Sequence, residues 1–254
     1  MSYSEFVKEL KLDGKLLAIT RVNSDDVELT DTFGCIYRTI PKILAGETFA
    51  FKKESCSCSG FDHNTGLRDD MPNTPGGFGI FLSQGSDQQW TPPGEKFKCD
   101  PQTAEAMFHC LPKGVMDGFD ALKFEAYKEG QEADVVVAFC NPDQLSALIV
   151  LHGYDKAEYD RVIATTASGC ASMVRIPLNE LKSDKPRAVI TATDLAARKF
   201  VNEGEVAFAV TGPEFEKMLS VTEECFFHSP VWKPVRNRLR RDEHLEDAKF
   251  TGLA

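Results

Sequence analysis

Residues 135–148, VVVAFCNPDQLSAL, decide the architecture. Val135 to Phe139 are apolar without a polar alternation, the pattern of a strand buried on both faces. Asn141-Pro142-Asp143 then breaks the run, and Pro142 suits the first turn of a helix, where no N–H is needed and φ is already set. Leu145, Leu148 and Ile149 fall on one helical face, and His152 continues that stripe as an ordinary buried histidine. A second stretch 71 residues later, VAFAVTGPEFEKML from Val206 to Leu219, has the same plan. Its inward face is Phe215, Met218, Leu219 and Thr222, and in both copies an acid follows Pro, where the helix dipole favours it. The two read either as related βα units or as two ordinary ones.

Working outward, Phe6, Val7 and Leu10 predict a short amphipathic helix over 3–11, and Leu16 to Val22 a strand. Ile36, Ile40, Ile43 and Leu44 mark a helix that Pro41 must kink or restart. Strands are predicted over 47–53, 121–127, 187–193 and 205–210, and a helix follows Asp100-Pro101. Phe61 to Pro93 is rich in Gly, Pro, Asn, Asp and Ser and reads as loops around Phe78 to Leu82. Gly76, Gly77 and Gly79 carry no phosphate-loop ending and miss the dinucleotide fingerprint. Val231, Trp232, Val235 and Leu239 line a terminal helix whose arginines, Arg236, Arg238, Arg240 and Arg241, read as a solvated face. The fold class expected is α/β, with α+β as the alternative: a mixed sheet with flanking helices in one domain over 1–254, with 1–130 and 131–254 as candidate sub-units.

A net charge of −10 argues against a nucleic-acid or anionic-membrane surface. The aliphatic runs are far short of the roughly 20 residues of a membrane span, and the start of the chain has no signal-peptide pattern. The chain is therefore expected to be cytoplasmic, where its eight cysteines read as buried thiols, a redox pair or a metal site rather than as disulfides.

Two thiols one residue apart, Cys56-Ser57-Cys58, leave a strand and enter Gly60 and a polar loop, a placement packing does not explain. Ser168 is a good N-cap, which puts Cys170 in the first turn of a helix, where N–H groups and the dipole favour a thiolate. Cys99 and Cys110 flank a helix about 15 Å long and cannot readily share an ion; Cys110 reads as a small core residue. The pairs Asp69-Asp70 and Glu223-Glu224 read as solvated surface.

Together GCIYRTIPKILAGETFAFKKESCSCSG, FCNPDQLSAL, SGCASMVRIP and EVAFAVTGPEFEKML make the chain resemble the family catalogued as domain of unknown function 169, over roughly residues 10–230. The resemblance implies a cysteine before the first helix of the motif, matched by Cys35. It also implies a Cys-x-Gly after the next strand, matched by Cys58 and Gly60, and a later cysteine matched by Cys170. Cys56 stands outside that pattern, and Gly66-Leu67 replaces the usual Leu-Gly. The family brings an anaerobic setting but no agreed activity.

Three functions follow as expectations. The first is an iron–sulfur cluster or other soft metal held by Cys58, Cys170, Cys35 and Cys56, serving anaerobic redox or sulfur-related metabolism. The second is metal-free thiol redox with Cys170 as nucleophile and Cys35 or Cys58 resolving it. The third is a non-catalytic ligand- or partner-binding module with residues 61–94 as a lid. A small-molecule or electron-transfer partner fits the first two, and a homo-oligomer is compatible with each; no GxSxG elbow, HExxH helix or kinase signature is present.

Overall fold

The computed structural model describes residues 1–30, 34–58, 60–70, 77–84 and 94–241. Its centre is one open, mixed, seven-stranded sheet: β1 (Leu16–Val22), β2 (Phe49–Lys52), β3 (Ala121–Ala126), β4 (Val135–Cys140), β5 (Val162–Ala164), β6 (Ala188–Thr191) and β7 (Val206–Thr211), in the order β2-β3-β1-β4-β7-β6-β5. All neighbours are antiparallel except β5 and β6, which run parallel. The protein is an α/β fold.

β4 is buried along its whole length because helices cover both faces. Val135, Val137 and Phe139 point to one core and Val136, Ala138 and Cys140 to the other, as a period of two requires. The second core packs under α1 (Tyr3–Leu10), α6 (Pro142–His152), α9 (Gly212–Ser220) and α10 (Trp232–Leu239). The first packs under α2 (Ile36–Leu44), α3 (Phe61–Thr65), a helical run over 169–180 that ends in α7 (Ile176–Glu180), and α8 (Leu195–Arg198). A small third cluster joins α4 (Phe78–Gln84) to α5 (Pro101–His109) through Phe78, Leu82, Ala104 and Phe108.

Local chemistry explains the element boundaries. Ser2 and Glu5 form a capping box on α1, and Asn141 with Gln144 forms another on α6. Asp100 caps α5 through the Thr103 N–H at 2.7 Å. Both units read from the opening motif are strand-then-helix, and α6 and α9 pack on the same face. The 71-residue correspondence does not extend to side-chain direction. Val136 and Val137 face the second and first cores, whereas Ala207 and Phe208 face the first and second. The antiparallel register decides the faces: Val136 lies opposite Val210 and Ala138 opposite Phe208, and residues directly opposite share a face.

Several readings need correction. α2 continues through Pro41 as one helix, because burial of Ile36, Tyr37, Ile40 and Ile43 offsets the N–H that proline withholds. The stretch from Phe61 carries α3 and α4 rather than loops alone; its segments 71–76 and 85–93, with most of MPNTPGGFG and TPPG, lie outside the described residues. The arginines of α10 are not a free solvated face: Arg236 and Arg240 each meet Glu9 at 2.9 Å, and Arg238 pairs with Asp143. Arg241 is exposed. Asp69 is no bystander, since it receives the buried Arg175 guanidinium at 2.6 Å. Cys110 is exposed at the end of α5, because the core face of that helix is taken by Ala104 and Phe108.

Candidate thiolate site

The site lies at one end of the first core, where three segments meet. The N-cap of α2 supplies Cys35, the turn after β2 supplies Cys56 and Cys58, and the helical run 169–180 supplies Cys170. Cys35, Cys56 and Cys170 are half-buried against that core, and Cys58 is exposed. All eight cysteines of the chain are free thiols. Cys140 and Cys225 belong to the opposite core and Cys99 and Cys110 to the surface, so four of the eight thiols are drawn to this place.

Hydrogen bonding fixes the Cys-x-Cys turn. The Cys56 thiol lies 2.8 Å from the Gly34 carbonyl, just before Cys35, and the Cys58 N–H donates to the Cys56 Sγ at 3.3 Å. The neighbouring Cys56 side chain favours Cys58 as an anion, helped by the N–H groups of Gly60 and Phe61 at the start of α3, and together they outweigh burial and bring its pKa down to about 6. Cys56 is correspondingly held protonated, first by the neighbouring Cys58 side chain and then by burial.

Ser168 caps the run 169–180 as its sequence suggests, its hydroxyl accepting from the Ala171 N–H at 3.3 Å. The Ser172 hydroxyl ties the first turns to β6 at Thr191, 2.7 Å away. Residues Ala171–Arg175 form a π-helical turn, with the Ile176 N–H reaching the Ala171 carbonyl. Pro177 follows immediately and offers no N–H of its own. Cys170 sits in the first turn, where the helix terminus and its surroundings act in opposite directions. Burial pushes its pKa well above the ordinary thiol value, and the charges of Cys58, Cys35 and Asp194 push the same way. Desolvation here overrides the helix terminus. Cys35 is likewise raised, by burial first, against a helping N–H from Tyr37.

The mutual influence of Cys35, Cys58 and Cys170 places them in one electrostatic neighbourhood, which Cys56 shares with Cys58 and Cys170. A single tetrahedral ion at about 2.3 Å from each sulfur requires sulfurs about 3.8 Å apart. Among the described residues, no three His, Cys, Asp or Glu side chains surround such a point. The donor set is nevertheless all-thiol and drawn from separate segments, which suits a polynuclear iron–sulfur group whose ligands stand farther apart than those of one ion.

Four further residues border the thiols and carry no recognisable motif. Asp194 caps α8, its Oδ1 accepting from the N–H groups of Ala196 and Ala197 at 2.8 and 3.0 Å. Its Oδ2 and the Tyr37 ring press so closely on Gly169 that an added Cβ would lie 2.7 and 2.8 Å from them, so the residue before Cys170 has no room for a side chain. Glu95, anchored by its N–H to the Phe81 carbonyl at 2.9 Å, has its carboxyl raised to about 7 by burial and then by Asp194 and Cys58. Lys199 acts on both Cys35 and Glu95. Only the capping position of Asp194 has a local sequence signal, and that signal concerns the helix rather than the site.

Behind the site, Arg175 is fully buried and donates to the carbonyls of His63, Arg68 and Pro112 as well as to Asp69. It binds the segment after Cys58 to the helix that carries Cys170, and so sets their separation.

No described helix is long and apolar enough to cross a membrane. Searches of the curated proteins and of the solved structures gave no match. The family model of domain of unknown function 169, described as uncharacterised ArCR, matches residues 5–221, and the chain belongs to that family.

Proposed function

We propose that the protein is a cytoplasmic thiolate-centre protein whose Cys35, Cys58 and Cys170, with Cys56 beside them, hold an iron–sulfur cluster or other soft polynuclear metal group for redox or sulfur chemistry. The observation that carries this reading is the gathering of four thiols from three segments of the chain at one end of the first core. A redox pair requires two sulfurs, and packing requires none to be ionised. A cluster held by the three family-matched cysteines would leave one iron free for a substrate or partner, with Cys56 as a neighbouring hydrogen-bond donor.

One observation favours a second reading. Cys56 and Cys58 sit in one turn closed by the Cys58 N–H on the Cys56 Sγ, with the Cys58 thiol shifted toward its anion and Cys56 away from it, the starting arrangement for metal-free thiol exchange. In that reading Cys58 replaces Cys170 as nucleophile, because Cys170 is kept protonated by burial.

The deciding experiment is purification without oxygen followed by measurement of iron, acid-labile sulfide and zinc per chain. Iron and sulfide in stoichiometric amounts, lost in Cys58→Ser and Cys170→Ser but kept in Cys110→Ser, is the expected result. A folded, colourless and metal-free protein after reconstitution with iron and sulfide would overturn the metal reading and leave the dithiol.

A further inference from the structure

Beside Cys35 stand two cations that meet no carboxylate among the described residues. Arg38 is in the first turn of α2, its N–H bonded to the Cys35 carbonyl at 2.9 Å, and Lys199 follows α8. Both are exposed, and both lie over the ring of Phe200, at 5.2 and 5.1 Å from its centroid. Phe200 packs against the first core, so the ring is a fixed platform. Most arginines elsewhere are engaged: Arg21, Arg68, Arg161, Arg175, Arg187 and Arg238, for example, each meet a carboxylate. Among the described residues no carboxylate pairs with Arg38 or Lys199. The local anions are Asp194, whose Oδ1 is already taken by two N–H groups, the Cys58 thiolate and Glu95.

We propose that Arg38 and Lys199 form an anion-receiving mouth to the thiol site, so that the molecule presented to Cys58 is a small anion. This rests on the reading that the thiols are the working groups. A chain of net charge −10 repels anions at long range, so an anionic substrate needs cations at the point of entry. Stacking on Phe200 holds the two charges beside Cys35 while leaving their N–H donors to solvent, and a guanidinium suits a carboxylate or oxyanion by paired hydrogen bonds. Two ion-paired cations at this place would serve folding; two without a carboxylate partner beside Cys35 are available to an incoming anion.

The test compares alkylation of Cys58 by anionic iodoacetate and neutral iodoacetamide, on the full chain as purified without oxygen and again after chelation, with the site located by peptide mass. The ratio of the two rates, referred to a free thiol, isolates charge from reactivity. Arg38→Gln with Lys199→Gln is expected to lower the ratio about fivefold at low salt, with each single change giving about half that effect on a logarithmic scale. Raising the salt is expected to lower the wild-type ratio and leave that of the double variant nearly unchanged. A ratio unchanged in the double variant, or lowered equally by Lys233→Gln on the opposite face, overturns the proposal. Should the double variant fail to fold, Arg38→Lys and Lys199→Gln alone decide it, the first retaining most of the ratio and the second losing part; any other pattern counts against it. Metal content measured on the same samples separates the two claims: a metal-free protein with an intact ratio sinks only the cluster, and a metal-loaded one with no charge preference sinks only the mouth.

Discussion

Replacing Cys56 by Ala tests whether the Cys-x-Cys turn makes the thiolate. Cys58 falls from the ordinary thiol value of 9.0 to about 6, and the Cys56 side chain is the largest cause. At pH 7 a thiol of pKa 9 is about 1% ionised and one of pKa 6 about 90%, so the turn changes the amount of thiolate nearly a hundredfold. In Cys56→Ala the N–H groups of Gly60 and Phe61 remain, but burial still opposes them, so the ionisation midpoint of Cys58 is expected to move above 7. The assay is the pH dependence of iodoacetamide labelling at Cys58 in metal-free protein, followed by peptide mass. The midpoint is the quantity to read, because the rate of a fully formed thiolate itself falls as its pKa falls. A midpoint within about 0.3 pH unit of the wild type would refute the reasoning and assign the stabilisation to the start of α3. A midpoint near 9 would show that the two backbone donors do no more than cancel burial.

Other perturbations have defined outcomes. Arg175→Met keeps the volume but leaves the buried His63 carbonyl, the half-buried carbonyls of Arg68 and Pro112, and Asp69 without their donor; a loss of about 3–5 kcal/mol in urea unfolding is expected, and a loss under about 1 kcal/mol would show that the clamp is dispensable. His152 is fully buried facing Glu214, Lys156 and Arg161, and burial first, then the Lys156 charge, lowers its pKa from 6.5 to about 4. Because the folded form binds its proton later than the unfolded chain, its stabilising contribution is complete above about 6.5 and lost as pH falls through 4, amounting to about 3 kcal/mol. His152→Leu should flatten the stability curve in that window, which thermal melts from pH 7 to 4 would reveal. Gly169→Ala should disturb Cys170, since its Cβ would lie 2.8 Å from the Tyr37 ring and 2.7 Å from Asp194; altered metal content or Cys58 midpoint with the fold retained is expected. Cys110→Ser, at an exposed helix end, should change stability by less than about 0.5 kcal/mol in the same unfolding assay.

The sequence by itself determined the elements. Apolar run length named β4, Pro142 and Pro213 marked the starts of α6 and α9, and Ser168 marked the helix of Cys170, because these signals act over a few residues and need no distant partner. The Cys-x-Gly of the family resemblance singled out Cys58 with Gly60, and the N–H groups of Gly60 and Phe61 that favour its anion lie in the same short stretch. Only the tertiary structure decided which thiol is ionised. Cys170 has the better helix position but the deeper burial, and desolvation is a property of everything packed around a group rather than of its neighbours in the chain. For the same reason Glu95, Asp194, Arg38 and Lys199 were invisible: each is an ordinary polar residue in sequence and acquires a role because sheet and helices carry it to the thiols. The gathering of Cys35, Cys56, Cys58 and Cys170 spans more than half the chain, and it exists because helices covering one face of one sheet bring their ends to the same place.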